Sequence, residues 1–203
     1  MLIWINGAFG VGKTQTAHEL HRWLSASHVA DPELIGFAMH KMLPAARRDD
    51  FQDLPQWRTS VTQILADADR SSGCPVIVPM TLVDTDYFDE IIGGLVDHDV
   101  DLRHYSLTAS VEVIHRRLRA RLAHRLGSIV GVDETWAMRQ TERCVAALRE
   151  DRFATHVPTD GRSVDDVVEH IADAAGLELV RPRLTSARYQ LRRATVAVRH
   201  IRW

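Results

Sequence analysis

Covalent staples are missing from this chain. Its 203 residues include two cysteines, Cys74 and Cys144, and neither has the partner spacing of a metal knuckle or a redox motif, which fits a reducing compartment. No apolar run approaches the length of a membrane span. No leader is expected ahead of a strand that starts at residue 2. Lysine is nearly absent: Lys13 and Lys41 are the only two, and arginine supplies the rest of the 25 basic residues. The formal net charge of −2 excludes a global field that attracts nucleic acid, so none is expected as a partner. Repeats and low-complexity segments are also missing. What remains is ordinary for a soluble globular protein, 45% apolar and 26% charged, at a length that suits one α/β domain with a mobile appendage.

Chemistry concentrates near the amino terminus. Gly7-Ala8-Phe9-Gly10-Val11-Gly12-Lys13-Thr14 follows a short apolar run, residues 2–6, and precedes a segment in which Ala17, Leu20 and Leu24 recur at helical spacing. Strand, glycine loop and helix are the context in which this pattern is a P-loop. Glycines free such a loop to turn its N–H groups inward around an anion, and the helix that starts there adds its positive end. Lys13 then offers a point charge to the β and γ phosphates, and Thr14 a hydroxyl ligand for Mg²⁺. Gly7 to Thr14, with Gln15 beside them, are the candidate nucleotide-binding residues, and ATP with Mg²⁺ is the expected cofactor.

Further along, strands and helices alternate. Strands are expected at residues 27–30, 75–81, 102–107 and 155–159. Helices are expected at 34–43, 56–69, 85–95, 111–126, 134–148 and 163–175. Gly93-Gly94 is expected to end the third of these, and Trp57, Val61, Ile64, Leu65 and Ala68 to form the buried stripe of the second. The strand through Ile77, the most apolar, is expected at the centre of the sheet. Alternation of this kind implies an α/β fold with a parallel, doubly wound sheet of five strands flanked by helices, with ligands beyond the carboxyl ends of the strands.

Taken together, these residues resemble the bacterial tunicamycin resistance proteins, small ATP-binding members of the P-loop kinase group. The resemblance is carried by Ile3-Trp4-Ile5-Asn6 running into the glycine loop, by Asp31-Pro32-Glu33 with Gly36-Phe37-Ala38, and by Asp50-Phe51-Gln52. Trp57-Arg58, Ile77-Val78-Pro79-Met80-Thr81, Arg117-Leu118-Arg119 with Arg121, and Trp136-Ala137 with Gln140 and Arg143-Cys144-Val145 extend it over nearly the whole chain. More distantly, the layout is similar to nucleoside monophosphate kinases. It implies a P-loop NTPase fold of that type, with a kinase-like domain over 1–180, a substrate-covering segment near 32–70 and a lid near 117–143. It also implies ATP binding and protection against tunicamycin, a uracil-nucleoside antibiotic, in the cytoplasm.

Residue roles follow from the same resemblance. Asp31, at the end of the second strand, is where related kinases place a carboxylate that accepts the acceptor's proton or holds Mg²⁺ through water; Asp-Pro-Glu is equally a helix cap. Lys13 and the lid arginines Arg117, Arg121 and Arg143 would neutralise the transferring phosphoryl group. Phe37, Trp57 and Arg58 would meet the acceptor, by stacking on a uracil or binding an oxygen; core packing is the alternative for Trp57. One departure stands out. Many P-loop enzymes end the third strand with an aspartate, whereas this strand ends in Pro79-Met80-Thr81, and Asp84 reads as a helix cap. Phosphorylation of a nucleoside-like molecule, sequestration of the drug without chemistry, and a kinase for another metabolite are therefore all open. Finally, residues 181–203 hold seven arginines and no acid. They read as a basic amphipathic helix, packed on its own domain, on a second subunit, or peripherally on an anionic membrane.

Overall fold

The structure, a computed structural model, describes residues 1–124, 140–153, 155–185 and 192. In chain order the elements are β1 (Leu2–Gly7), α1 (Lys13–Trp23), β2 (His28–Val29), α2 (Glu33–Met42), α3 (Pro55–Ser72), β3 (Val76–Pro79), α4 (Thr85–Asp97), β4 (Leu102–Thr108), α5 (Val111–His124), α6 (helical residues 140–147), β5 (His156–Pro158) and α7 (Val164–Ala175). The five strands form one parallel sheet in the order β2-β3-β1-β4-β5. β1 is therefore the central strand, not β3, with Ile3 opposite Ile77 on one side and Arg103 on the other. The reason is the crossover pattern: β2 and β3 lie to one side of β1, and β4 and β5 to the other. The loop after β1 thus opens at the point where the winding reverses, the usual ligand crevice of such sheets.

Alternation along the strands splits the core into two layers. Leu2, Trp4, Val76 and Val78 pack with Trp57, Val61 and Leu65 of α3, Phe88, Ile91 and Leu95 of α4, and Ile114 and Leu118 of α5. Ile3, Ile5 and Ile77 face the opposite way, onto Ala17, Leu20 and Trp23 of α1 and Val167, Val168 and Ile171 of α7. A strand such as β1, buried along its whole length, has to be apolar on both faces. Each fully buried aliphatic side chain there contributes about 1.5–3 kcal/mol.

Two expectations fail at one contact. α4 does not stop at Gly93-Gly94 but runs through to Asp97; at Gly94 a Cβ would meet Thr62 Cγ2 at 2.8 Å. The glycine serves close helix approach rather than termination. The same approach moves the buried face of α3 toward Arg58, Thr62 and Ala66 and leaves Ile64 53% exposed. Among the described residues, two α-helices are capped by side chains, one of them by Asp84 as expected. The Asp84 carboxylate accepts the N–H groups of Asp86 and Tyr87 at 3.1 Å, and Ser163 forms a capping box with Asp166. Asp53 does not cap α3; its carboxylate instead accepts the Tyr87 hydroxyl at 2.9 Å.

Candidate functional site

Loop geometry follows from the glycines. Gly10 (φ 84°) and Gly12 (φ 121°) occupy backbone regions closed to most side chains, and a Cβ at Gly12 would meet nothing within 4 Å. Gly12 precedes α1, so Lys13 and Thr14 stand in its first turn, where N–H groups have no intrahelical acceptor. Lys13 is buried, its ammonium donating to Ala8 O at 3.1 Å and lying 5.4 Å from the Phe9 ring centroid.

The base of the loop is pinned from two strands. Asn6, wholly buried, donates through Nδ2 to Leu82 O at 2.7 Å, while its Oδ1 accepts Gly7 N–H at 2.8 Å and Leu82 N–H at 2.9 Å. Thr81 Oγ1 donates to Gly7 O at 2.9 Å. The hydroxyl that replaces the usual aspartate after the third strand is thus engaged with loop backbone. Sequence reasoning missed both roles. Asn6, the chain's single asparagine, was the available signal: an amide at the last step of a wholly apolar strand has no place there unless it is hydrogen-bonded.

Asp31 follows β2 and is half-buried. Its Oδ1 accepts Glu33 N–H at 3.0 Å, and its carbonyl accepts Leu34 N–H at 3.1 Å. The carboxylate thus closes the turn that leads into α2, whose cap position is Pro32 rather than Asp31. Arg117 departs from the lid expectation. Its Nη1 donates to Val11 O at 2.8 Å and to Thr159 Oγ1 at 3.0 Å, and Nη2 to Thr159 O at 2.9 Å. The guanidinium ties the tip of the glycine loop to the end of β5, a match for its fork geometry. Arg121 lies in α5, its side chain outside the described residues, as is most of the expected lid. Arg143, on α6, is exposed. Next to it, burial pushes the Cys144 thiol up, against the opposing charges of Lys13 and Arg143.

On the acceptor side the three expected residues separate. Phe37 is half-buried, its ring edge-on to Phe51 at 5.7 Å. Trp57 is wholly buried, its indole N–H donating to Pro32 O at 3.1 Å and its ring 5.3 Å from Phe51. Of the two readings of Trp57, core packing holds and stacking on an acceptor does not: the ring has no open face. Arg58 is 8% exposed. It pairs with Glu90 at 2.5 Å, donates to Gln52 O at 2.6 Å and lies over the Tyr87 ring at 4.2 Å.

Comparison with known proteins places this arrangement. Residues 2–147 match the AAA domain family. The solved structure of the Deinococcus radiodurans tunicamycin resistance protein is 33% identical, covers 89% of this chain and 99% of its own, and superposes with a TM-score of 0.73. The chain is a member of the AAA domain family and of the tunicamycin resistance proteins. A gluconokinase from Sinorhizobium meliloti shares the fold at 16% identity and a TM-score of 0.58, over 86% of this chain and 90% of that one. So does the Mycobacterium tuberculosis APS kinase in complex with AMPPNP and APS, at 16% identity and a TM-score of 0.53, over 86% and 96%. A search of curated proteins found no match. The chain therefore has the P-loop kinase fold expected of it.

In this family member two arginines of the basic C-terminal segment bond to its own domain. Arg183 pairs with Asp166 at 2.8 Å and with Glu169 at 2.5 Å. Arg192 Nε meets Glu19 at 3.2 Å, and its Nη2 donates to His18 O at 3.1 Å. Glu19, 3% exposed, also accepts Trp23 Nε1 at 2.8 Å. The apolar stripe expected from Ala187 through Ile201 lies outside the described residues. Among the described residues no helix is long and apolar enough to cross a membrane.

Proposed function

We propose that this chain binds Mg²⁺·ATP on its P-loop and transfers the γ-phosphoryl group to a hydroxyl of a nucleoside-like small molecule, tunicamycin being the first acceptor to test. One observation carries the reading most: a glycine loop anchored through Gly7 to Thr81 and Asn6 opens at the winding switch point, in a chain 33% identical to a tunicamycin resistance protein.

The residues suit the nucleotide. Open space at Gly12 and the amino end of α1 favour an anion. Thr14 and Asp31 are hard oxygen donors of the kind Mg²⁺ takes in ones and twos beside phosphate. When bound, Mg²⁺·ATP supplies the phosphoryl group and a divalent charge that offsets its negative oxygens. Lys13 would exchange Ala8 O for phosphate oxygens. Asp31 would take the hydroxyl proton as the acceptor oxygen bonds to the γ phosphorus and the bridging P–O bond breaks, leaving ADP. Arg121 and Arg143 would face the charge in transit. Arg117 would act one step back, by holding Val11. The reaction would run in the cytoplasm, with the C-terminal segment docked through Arg183 and Arg192 rather than on a membrane.

A second reading, sequestration of the drug by the ATP-bound protein, is favoured by Thr81: its hydroxyl is spent on Gly7, and no carboxylate ends β3. Incubation with γ-labelled ATP and tunicamycin separates the two. Phosphorylated drug detected by mass spectrometry supports transfer. ATP-dependent binding of unmodified drug, with no turnover, supports sequestration and sinks the kinase reading.

A further inference from the structure

Between α2 and α3 runs a short 3-10 turn, Phe51–Asp53, with Asp50 as its cap. Surface turns of this size are ordinarily loose; this one is fastened at every residue. Phe51 wedges its ring against the backbone of Gly36, where any Cβ would collide with it, and packs on Phe37, His40 and Trp57. Gln52 reaches with Nε2 to Thr81 O at 3.0 Å, and Thr81 in turn donates to Gly7 O. The carbonyl of Gln52 accepts the buried Arg58 guanidinium, and Asp53 accepts the Tyr87 hydroxyl. The turn is thereby coupled to the P-loop through two side chains, at the carboxyl end of β3 where the crevice lies.

What this clamp presents is Asp50. The residue is exposed, and Oδ1 accepts Gln52 N–H at 2.9 Å. A carboxylate offers about four acceptor positions, so the cap does not exhaust it. Arg143 from α6 and His40 from α2 act on it electrostatically. Cys144 on α6 feels the charges of both Lys13 and Asp50. Although its surface is open to solvent, the protein around it removes enough water to hold its carboxyl above the usual carboxylate range.

We propose that Asp50 is an acceptor-binding carboxylate: it takes a hydrogen bond from a hydroxyl of a polyhydroxylated small molecule, and the clamped turn fixes it relative to the P-loop. This rests on the reading of the site as one for a hydroxylated acceptor. Hydroxyl donors to a carboxylate form short, charge-assisted bonds, roughly twice as strong as neutral ones, and a rigid mount spares the entropy of ordering the turn on binding.

The test uses the full chain, Mg²⁺, a non-hydrolysable ATP analogue and tunicamycin as probe, with calorimetric titration of the wild type, Asp50→Asn and Asp50→Ser. Both replacements are good caps, so melting temperature and affinity for the analogue should stay at wild-type values. Affinity for tunicamycin should fall about tenfold in each, equivalent to about 1.4 kcal/mol. Wild-type affinity in both variants overturns the proposal. So does a parallel fall in melting temperature and analogue affinity, which would make the residue structural. A wild type that binds the analogue but not tunicamycin overturns the acceptor reading itself, and this proposal with it.

Discussion

Thr81 Oγ1 donates a hydrogen bond to Gly7 O at 2.9 Å, joining residues 74 positions apart at the root of the P-loop. The loop's first carbonyl is therefore set by the end of the neighbouring strand rather than by the loop's own turn. Replacing Thr81 by Val keeps the shape and strands a buried acceptor. We expect a loss of about 1–2 kcal/mol, a drop of about 2–4 °C in melting temperature per kcal/mol, and weaker ATP binding. Thr81→Ser should recover most of it. Denaturation and ATP titration that leave Thr81→Val at wild-type values would show that the bond positions nothing.

Lys13 rests on Ala8 O and beside Phe9, contacts that phosphate oxygens would replace with charge-assisted ones. Lys13→Ala should weaken ATP binding by tenfold or more, since such bonds are worth about 1.5–3 kcal/mol. Calorimetry at fixed magnesium measures this, and undiminished affinity would mean the P-loop does not hold the triphosphate.

Arg117 is a structural fork between Val11 and Thr159. Lysine cannot reproduce three planar contacts, so Arg117→Lys should lower stability by about 1.5–3 kcal/mol and loosen ATP binding with it. A catalytic lid arginine would instead lose turnover at unchanged stability. Urea unfolding set beside the transfer rate tells the two apart.

Gly36 gives its space to Phe51. Gly36→Ala adds no backbone strain within α2, yet it should cost about 1–3 kcal/mol by overpacking. The double substitution with Phe51→Leu should cost less than the two singles together. Thermal melts of the three variants decide this; strict additivity would mean that Gly36 and Phe51 do not share the contact.

Acid should reveal the cap of α7. The Ser163 hydroxyl, the Ser163 N–H and then Arg183 hold the Asp166 carboxyl down at about 2, against about 3.9 in an unfolded chain. A depressed folded-state value stabilises the fold above the unfolded one and is lost as pH falls through the folded one. The gap in melting temperature between the wild type and Asp166→Asn should hold from pH 7 down to about 4 and close toward pH 2. A gap independent of pH would remove Asp166 from the linkage.

Local pattern made much of this legible. The apolar run of β1, the glycine loop and the start of α1 are adjacent in sequence, so their geometry follows from short-range rules. Asp84 was readable as a cap for the same reason, since a cap needs only the next turn of backbone. Arg117 was not, because its partners, Val11 and Thr159, are far along the chain. An arginine on a helix looks alike whether it faces a lid or grips a carbonyl.

Periodicity failed where two helices approach. Trp57, Val61 and Leu65 set a correct stripe, but contact with α4 at Gly94 rotated burial toward Thr62 and Ala66 and released Ile64. At about 100° per residue, a shift of this kind decides which edge of a stripe is covered.

From its residues alone, this protein was bound to make a strand, an anion-cupping loop and a helix in that order, because hydrophobic alternation and glycine torsions act over a few positions. Which strand lies at the centre, what grips Gly7 from Thr81, and which arginines are spent on backbone were decided by chain segments brought together only on folding. Burial makes each unpaired polar atom costly, so the partners that satisfy them are chosen by the packed structure and by proximity in space.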